Sequence, residues 1–237
     1  MLGFFSFTEI TDPSAHHAYN EWHQLDHLPE QYSIEGIAFG QRWVASPACQ
    51  LSRVAVSPLL APCHYMTLYL LRDEQVLEDF FRLAQELREA DRFFGARKSH
   101  LSGPFEVTGR WASARVKVSA QVMPWRPGTG IYVWVAANGS SGPPDTQQRS
   151  FGPQLCERPG VAGAWTFSDH RHKEGTGRSI SVAFIDGDLA ATAADLGSWT
   201  KHLGDESAHG ADRVLEWAGP LARIDPNAWD WFDRLTP

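Results

Sequence analysis

Two histidines and an aspartate fall at helical spacing near the N-terminus, within residues 21–30. On a helix, His23 and His27 lie one turn apart on one face, and His23 also neighbours Asp26 at three-residue spacing. Tyr19 lies one turn before His23. Three interpretations stay open: a solvated polar face, acid–base chemistry in which a carboxylate tunes an imidazole, or a metal site on two histidines.

The other residues that could do chemistry are scattered along the chain. His64, His100 and the pair His170 and His172 offer no third metal ligand at a characteristic distance. Cys63 beside His64 is not a catalytic pair, because adjacent strand residues point to opposite faces. The polar stretch at 170–177 is predicted to be a mobile hairpin loop.

The first half of the chain predicts a β-α-β-β-α-β order. An aromatic strand spans residues 2–10, and Asp12 followed by Pro13 begins a helix. Pro29 is expected to end or kink this helix, because it lacks the N–H that would bond back to Leu25. A strand, a long loop over residues 47–63 that is a candidate lid, a strand, a helix and a closing strand follow.

The second half repeats this order after a hinge-like stretch at 123–130. A weak helix is predicted at 144–156, and two local matches support a duplication: EGIAFGQRWVAS with PGVAGAWTFSD, and GRWASARV with LEWAGPLARI. The sequence therefore predicts an α+β fold of two ferredoxin-like modules, residues 1–122 and 123–237. Their antiparallel sheets are expected to pack together as an intramolecular α/β barrel, because each sheet leaves one apolar face to cover.

The composition argues against several classes of protein. The net charge is −7 and the 21 Lys and Arg residues form no cluster, which argues against nucleic acid and anionic membranes. No apolar run reaches the roughly 20 residues of a membrane span, and the start lacks the pattern of a signal peptide. Three widely spaced cysteines argue against a disulfide framework. We expect a cytoplasmic protein that is a monomer with an internal pseudo-dimer or a further homodimer.

Two segments carry a resemblance to a known family. The stretch WHQLDHLPE at 22–30, followed by GIAFGQRW at 36–43, resembles the signature of EthD-like proteins of the dimeric α/β-barrel superfamily. The match covers about 25 residues and is more specific for the fold than for the reaction. The superfamily includes muconolactone isomerases, cofactor-independent monooxygenases, polyketide cyclases and haem enzymes, so the resemblance implies a pocket between helices and sheet.

The resemblance implies a site centred on His27. His27 would act as a general base, His23 and Asp26 would orient it, and Arg42 would stabilise enolate-like charge. Further contacts to substrate are expected from three aromatic residues: Tyr19, Trp22 and Trp43. The expected activity is cofactor-independent proton transfer on a small apolar, aromatic, lactone-like or polyketide-like compound, by an isomerase, cyclase or monooxygenase. The alternatives are a non-catalytic small-molecule binder, and haem or divalent-metal binding through the two histidines.

The second module lacks the polar residues of the first. In an alignment on the glycine that follows each helix, Phe151 replaces His27 and Ser150 replaces Asp26. The second module is therefore expected to serve as the sheet partner. The C-terminal aromatic residues are predicted to form a short capping helix or tail, or to cover a pocket: Trp229, Trp231 and Phe232.

Overall fold

A computed structural model describes residues 1–137, 145–170, 177–206, 214–228 and 231–237. The first half contains β1 (Leu2–Ile10), α1 (His16–Glu21), a π-helical segment (Trp22–His27), α2 (Leu28–Gln31), β2 (Ile37–Val44), α3 (Pro47–Leu51), β3 (Ala55–Val56), β4 (Tyr65–Leu71), α4 (Glu74–Glu89) and β5 (Arg97–Ala112). A 3-10 helix (Ala120–Trp125) leads to β6 (Gly130–Ala137), α5 (Asp145–Cys156), β7 (Val161–Asp169), β8 (Arg178–Ile185), α6 (Leu189–Glu206), β9 (Val214–Arg223) and α7 (Phe232–Leu235).

The strands form one antiparallel system, and both halves use the same local order. The first half is ordered β2-β4-β1-β5 and the second β7-β8-β6-β9. Strand β5 pairs with β7, and Trp43 and Val44 of β2 pair with Arg223 and Ala222 of β9. The eight strands therefore form a closed ring, to which β3 adds a short ninth strand on β9. The expected α+β class is confirmed.

The interior of the ring is filled by large apolar side chains. Phe5, Met66, Trp165, Val182 and Trp217 are each at most 1% exposed and belong to one cluster to which strands of both halves contribute. Each such side chain contributes roughly 1.5–3 kcal/mol through burial. A ligand site consequently has to lie at the ends of the ring or on its outer faces.

The first half's outer face is covered by the helix of residues 16–31 and by α4. Asp73 caps α4 by accepting from the backbone N–H of Val76, and Val76 and Phe80 are buried beside Tyr69 of β4. Gly40 of β2 lies directly below the first helix. A Cβ there would meet Leu28 and Tyr69 carbon atoms at 2.8 Å. This close approach brings the helix onto the outward-facing side chains of β2 and β4.

The helix expected to end or kink at Pro29 instead continues to Gln31 through a change of hydrogen bonding. Residues Trp22–His27 form a π-helical segment, and the N–H of Leu28 donates to the carbonyl of His23. Pro29 then occupies the first turn of α2, where the missing N–H costs nothing. The wider π turn accommodates the ring that would clash in a regular α-helix.

The segment at 47–63 packs on the second half and is not a lid. It forms α3 and β3, and β3 pairs with Ala218 and Trp217 of β9. Arg53 lies 4.1 Å above the Trp217 ring and donates to the carbonyls of Ala61 and Cys63. The segment at 47–63 therefore contacts β9 and its own backbone.

Other expectations are met in part or fall outside the described residues. Helix α5 begins at Asp145, and Pro144 lies outside the described residues, as do His172 and Trp229. His170 contacts the carboxylates of Glu74 and Glu106 in the first half. In the part of the chain that the structure describes, no helix is long and apolar enough to cross a membrane.

Gly40→Ala tests the close contact between helix and sheet. The added methyl group would collide with Leu28 and Tyr69, so we expect the free energy of unfolding in urea to fall by about 1–3 kcal/mol. Gly103→Ala is the matched control, because this strand glycine has no atom within 4 Å of the added Cβ. Equal effects of the two substitutions would contradict the packing described.

Candidate functional site

Six buried polar atoms cluster between the helix of residues 16–31 and the sheet. None of them has a hydrogen-bond partner among the described residues: Tyr19 Oη, His23 Nδ1, His27 Nδ1, Arg42 Nε, Arg42 Nη1 and Tyr69 Oη. Each buried polar group without a partner costs about 1–3 kcal/mol. A cluster of such groups is unusual in a folded core and is typical of a site that receives a polar ligand.

Arg42 is the centre of the cluster. It projects outward from β2 and is 2% exposed. Its guanidinium lies 5.3 Å from the Tyr19 ring centre and 5.5 Å from that of Tyr65, and Nη2 donates to Asn20 Oδ1. Burial lowers the pKa of Arg42, although the three nearby tyrosines oppose this shift. No carboxylate forms an ion pair with Arg42 in the described chain, so a buried cation lacks a counter-charge.

A hydrogen-bonded chain holds Arg42 from behind. Asn20 accepts from Arg42, and its amide nitrogen donates to the His16 carbonyl at 2.7 Å and to Tyr65 Oη at 2.8 Å. Tyr65 Oη in turn lies 2.9 Å from His16 Nδ1, so the hydroxyl donates to that nitrogen. Burial, and then His64, lower the pKa of His16 to about 4, which keeps its ring neutral and able to accept.

The two histidines of the helix are buried and neutral. His23 and His27 are edge to face with ring centres 5.1 Å apart, and Trp22 stacks on His27 at 4.5 Å. Burial, then Arg97 and Arg42, lower the pKa of His27 to about 3. Burial, then Arg42, lower the pKa of His23 well below its usual range. The site therefore presents neutral imidazoles beside cationic guanidinium groups.

Arg97, at the start of β5, adds a second guanidinium that the sequence analysis missed. It lies 4.4 Å from the Phe93 ring centre and 5.7 Å from that of Trp22, and burial lowers its pKa. No ion pair of Arg97 occurs among the described residues. The site thus combines two cations that no described carboxylate pairs with, which favours an anionic ligand.

The structure brings most of the predicted site residues together. Tyr19, Trp22, His23, His27 and Arg42 share the cluster. Their spacing on one helix face and the position of Arg42 on β2 were readable from the sequence.

Two predicted residues lie elsewhere. Asp26 is exposed, and no hydrogen bond or ion pair of its carboxylate occurs in the described chain, so it does not orient His27 by contact. Trp43 is 3% exposed in the ring interior, on the opposite side of β2 from Arg42, because successive strand residues alternate. Trp43 therefore does not face the cluster around Arg42.

The C-terminal segment of the second half closes the site of the first. Gln24 Nε2 donates to the carbonyls of Asp225, Pro226 and Ala228 at 3.3, 2.9 and 3.1 Å, and Trp231 Nε1 donates to Gln24 Oε1 at 3.2 Å. A cavity of about 210 Å³, open to solvent, lies between this segment, the helix and β2. It is lined by Gln24, Leu28, Gly40, Gln41, Arg42, Ile224 and Pro226.

The residues present do not fit a metal or haem. Among the described residues, no three His, Cys, Asp or Glu side chains lie together as metal ligands. Haem needs an imidazole with an open face beside space for a porphyrin. The rings of His23 and His27 instead pack on Tyr19 and Trp22, and the space of about 210 Å³ nearby, part of it open solvent, offers no room for a porphyrin.

The second half replaces this polar cluster with aromatic packing. Phe151 of α5 contacts the rings of Trp134 and Trp199 at 5.3 and 5.1 Å. Trp134 Nε1 donates to Thr200 at 2.9 Å. Helix α5 of the second half therefore presents an apolar ring, Phe151, to its neighbours.

Comparisons with known proteins show that solved structures share the fold of this chain. No known family model matches the sequence, and no curated protein matches it. A proposed monooxygenase from Fusobacterium nucleatum is 10% identical with a TM-score of 0.52, over 94% of this chain and 92% of that one. A proposed chlorite dismutase is 10% identical with a TM-score of 0.55, over 95% of each chain. A dye-decolorizing peroxidase from Bacteroides thetaiotaomicron is 10% identical with a TM-score of 0.54, over 100% of this chain and 95% of that one. At this identity the likeness shows a shared fold alone.

The lowered pKa of His27 predicts acid sensitivity. The folded protein resists protonation down to about pH 3, whereas the unfolded chain binds the proton near 6.5, so stability falls as the pH drops below 6.5 and is constant above it. We expect His27→Gln to remove about 2 kcal/mol of the difference between urea unfolding at pH 7 and at pH 5. The control, exposed His202→Gln, should leave that difference unchanged. An undiminished difference in His27→Gln would contradict the burial of a neutral imidazole.

Proposed function

We propose that this chain binds a small, single-ring anionic or enolisable compound beside Arg42 and removes a proton from it with His27. The observation that carries the proposal is the buried guanidinium of Arg42, in which two nitrogen atoms have no partner, and which has no paired carboxylate, within the described parts of the chain. Charge-assisted hydrogen bonds from such a group to an oxyanion are stronger than neutral ones. The neutral imidazoles beside it supply an acceptor for a proton.

The chemistry would be one proton transfer. A C–H bond next to a carbonyl breaks, its proton moves to an imidazole nitrogen of His27, and the electron pair becomes an enolate on the carbonyl oxygen. Arg42 and Arg97 stabilise this oxyanion. Burial, and then the charges of Arg97 and Arg42, lower the pKa of the free His27 to about 3, but the enolate offsets those charges and makes protonation of the ring easier.

Positioning of His27 would come from aromatic contacts instead of a carboxylate. Trp22 stacks on the ring at an interplanar angle of 18°, and Phe93 packs edge to face at 5.4 Å. His23 lies perpendicular to it and is the second proton acceptor within the cluster. This arrangement replaces the role that the sequence analysis assigned to Asp26.

The size of the cavity narrows the substrate class. The space of about 210 Å³ includes open solvent, so the enclosed part is smaller still and favours a compact, single-ring ligand. A lactone-like or simple phenolic compound fits this scale, and a multi-ring polyketide does not. Isomerisation, cyclisation and cofactor-free oxygenation share the proposed first step, and the fold neighbour named as a proposed monooxygenase is compatible with the last.

We further infer a tandem EthD-like protein in which two ferredoxin-like modules, 1–122 and 123–237, form one α/β barrel. The EthD-like motif at 22–43 and the identical local strand order of the halves support this inference. The proposal requires no nucleotide cofactor, haem, metal, nucleic acid or membrane. It treats the chain as a cytoplasmic monomer with an internal pseudo-dimer.

A non-catalytic binding protein is the second candidate. The low pKa of His27 favours it, because general bases work best with a pKa near the operating pH. In that case the cluster would recognise an anion through Arg42 and Arg97 without proton transfer.

Asn20→Asp tests the anion site without removing the guanidinium. The new carboxylate would neutralise Arg42, so we expect affinity for 4-fluorobenzoate to fall by about tenfold or more at this site, measured by fluorine NMR. Affinity for neutral 4-fluorobenzamide should change little. Arg42→Met should give the same pattern, and exposed Arg82→Met is the control. Equal losses for both compounds would indicate structural damage and contradict anion recognition.

Proton transfer is tested by hydrogen–deuterium exchange in D2O, followed by proton NMR on a panel of single-ring lactones and cyclic ketones. We expect the protein to accelerate exchange next to the carbonyl, and His27→Gln to lower that acceleration by about 10²–10⁴-fold. His202→Gln should retain it. Binding without acceleration by the unmodified protein would favour the second candidate.

A further inference from the structure

A second cavity lies at one end of the ring, on the other side of β2 from Arg42. Its space of about 320 Å³ includes open solvent, so it is an open cleft and not an enclosed cavity. We call it the rim pocket. Its apolar floor is formed by buried Trp43, Ile131 and Phe184 of the ring interior. Ends of strand rings are preferred ligand positions, because an apolar interior meets polar loops there.

The walls of the rim pocket are fixed by backbone contacts. The linker between the halves is bound at Thr129, whose N–H donates to the Ile185 carbonyl at 2.9 Å and whose carbonyl accepts from the Arg223 N–H at 3.1 Å. A Cβ at Gly128 would lie 2.4 Å from the Ile185 oxygen, so no side chain fits there. A preformed wall lowers the entropic cost of binding.

The charges at the rim of the pocket are unbalanced. One carboxylate, Asp186, is shared by Arg115 and by Arg126, whose Nη1 lies 2.5 Å from it. Arg223 also lines the pocket, and its guanidinium makes no hydrogen bond or ion pair among the described residues. The rim of the pocket therefore carries Arg126 and Arg223 with one carboxylate, Asp186, which Arg115 also contacts. The surplus positive charge favours an anion beside Arg126 and Arg223.

We propose that the rim pocket is a second binding site, for a small organic monoanion with an apolar body. The carboxylate of such a ligand would bind Arg223 and the remaining donors of Arg126, and its ring would lie on Trp43 and Phe184. Trp43, predicted from sequence as a ligand contact, would serve here and not at the Arg42 site. The inference does not depend on proton transfer, because it uses none of the histidines.

The test uses an Arg42→Met background, which removes anion binding at the first site. In that background we expect 4-fluorobenzoate to bind with one site per chain by fluorine NMR, and more tightly than either acetate or 4-fluorobenzamide. Adding Arg223→Met should weaken binding by about tenfold or more. Thermal stability should not change, since the Arg223 guanidinium has no hydrogen bond or ion pair among the described residues. Adding Arg82→Met is the control and should leave binding unchanged.

Three results would overturn the proposal: no binding in the Arg42→Met background, binding that Arg223→Met leaves intact, or affinities for acetate and 4-fluorobenzoate that are equal. The last result would mean that charge alone attracts ions to this surface. Benzoate binding lost in Arg42→Met and retained in Arg223→Met would support the first site while removing the second. The two proposals therefore fail independently.

Discussion

A buried guanidinium without a carboxylate is the constraint on which the rest of the site depends. Burial of an unpaired charge costs several kcal/mol. The protein offsets part of that cost with the Asn20 amide oxygen and the faces of Tyr19 and Tyr65, which leave the net charge of Arg42 intact. An aspartate in place of Asn20 would neutralise the guanidinium and remove its use for an external anion. The amide holds the guanidinium and keeps it cationic.

The second half of the chain supports this site more than its sequence indicates. It completes the ring by pairing β7 with β5 and β9 with β2, and β2 carries Arg42. It also supplies the C-terminal segment that Gln24 binds through four hydrogen bonds. An aromatic cluster surrounds Phe151 in the second half. The first half therefore carries the buried polar cluster, and the second half closes the ring and covers the cavity.

The sequence predicted the order of elements and the core of the site because both depend on local patterns. The spacing of Tyr19, His23 and His27 was enough to place them on one face, even though the helix adopts π hydrogen bonds that no spacing rule would give. The sequence predicted less well which side chains meet in the folded protein. Asp26 satisfied the spacing rule but faces solvent, because the π segment rotates the helix surface relative to a regular α-helix.

Residues contributed by distant segments carried no local signal. Arg97 and Tyr65 reach the site only through strand pairing and helix packing. Pro226, in the segment that covers the cavity, is 202 residues from Gln24 along the chain. Trp43 was expected at the same site as its neighbour Arg42. Adjacent strand residues face opposite sides of the sheet, so the two side chains lie apart. A sequence pattern identifies a face, whereas tertiary packing decides what that face meets.

The central claim is that Arg42 and Arg97 make this buried site one that stabilises oxyanions. The most direct measurement is the ionisation of bound 4-nitrophenol, followed by its absorbance as the pH is varied. We expect the bound phenol to ionise at a lower pH than the free compound, and Arg42→Met to remove this shift. A bound phenol that ionises at the same pH as the free compound, or at a higher one, would contradict oxyanion stabilisation by these two residues.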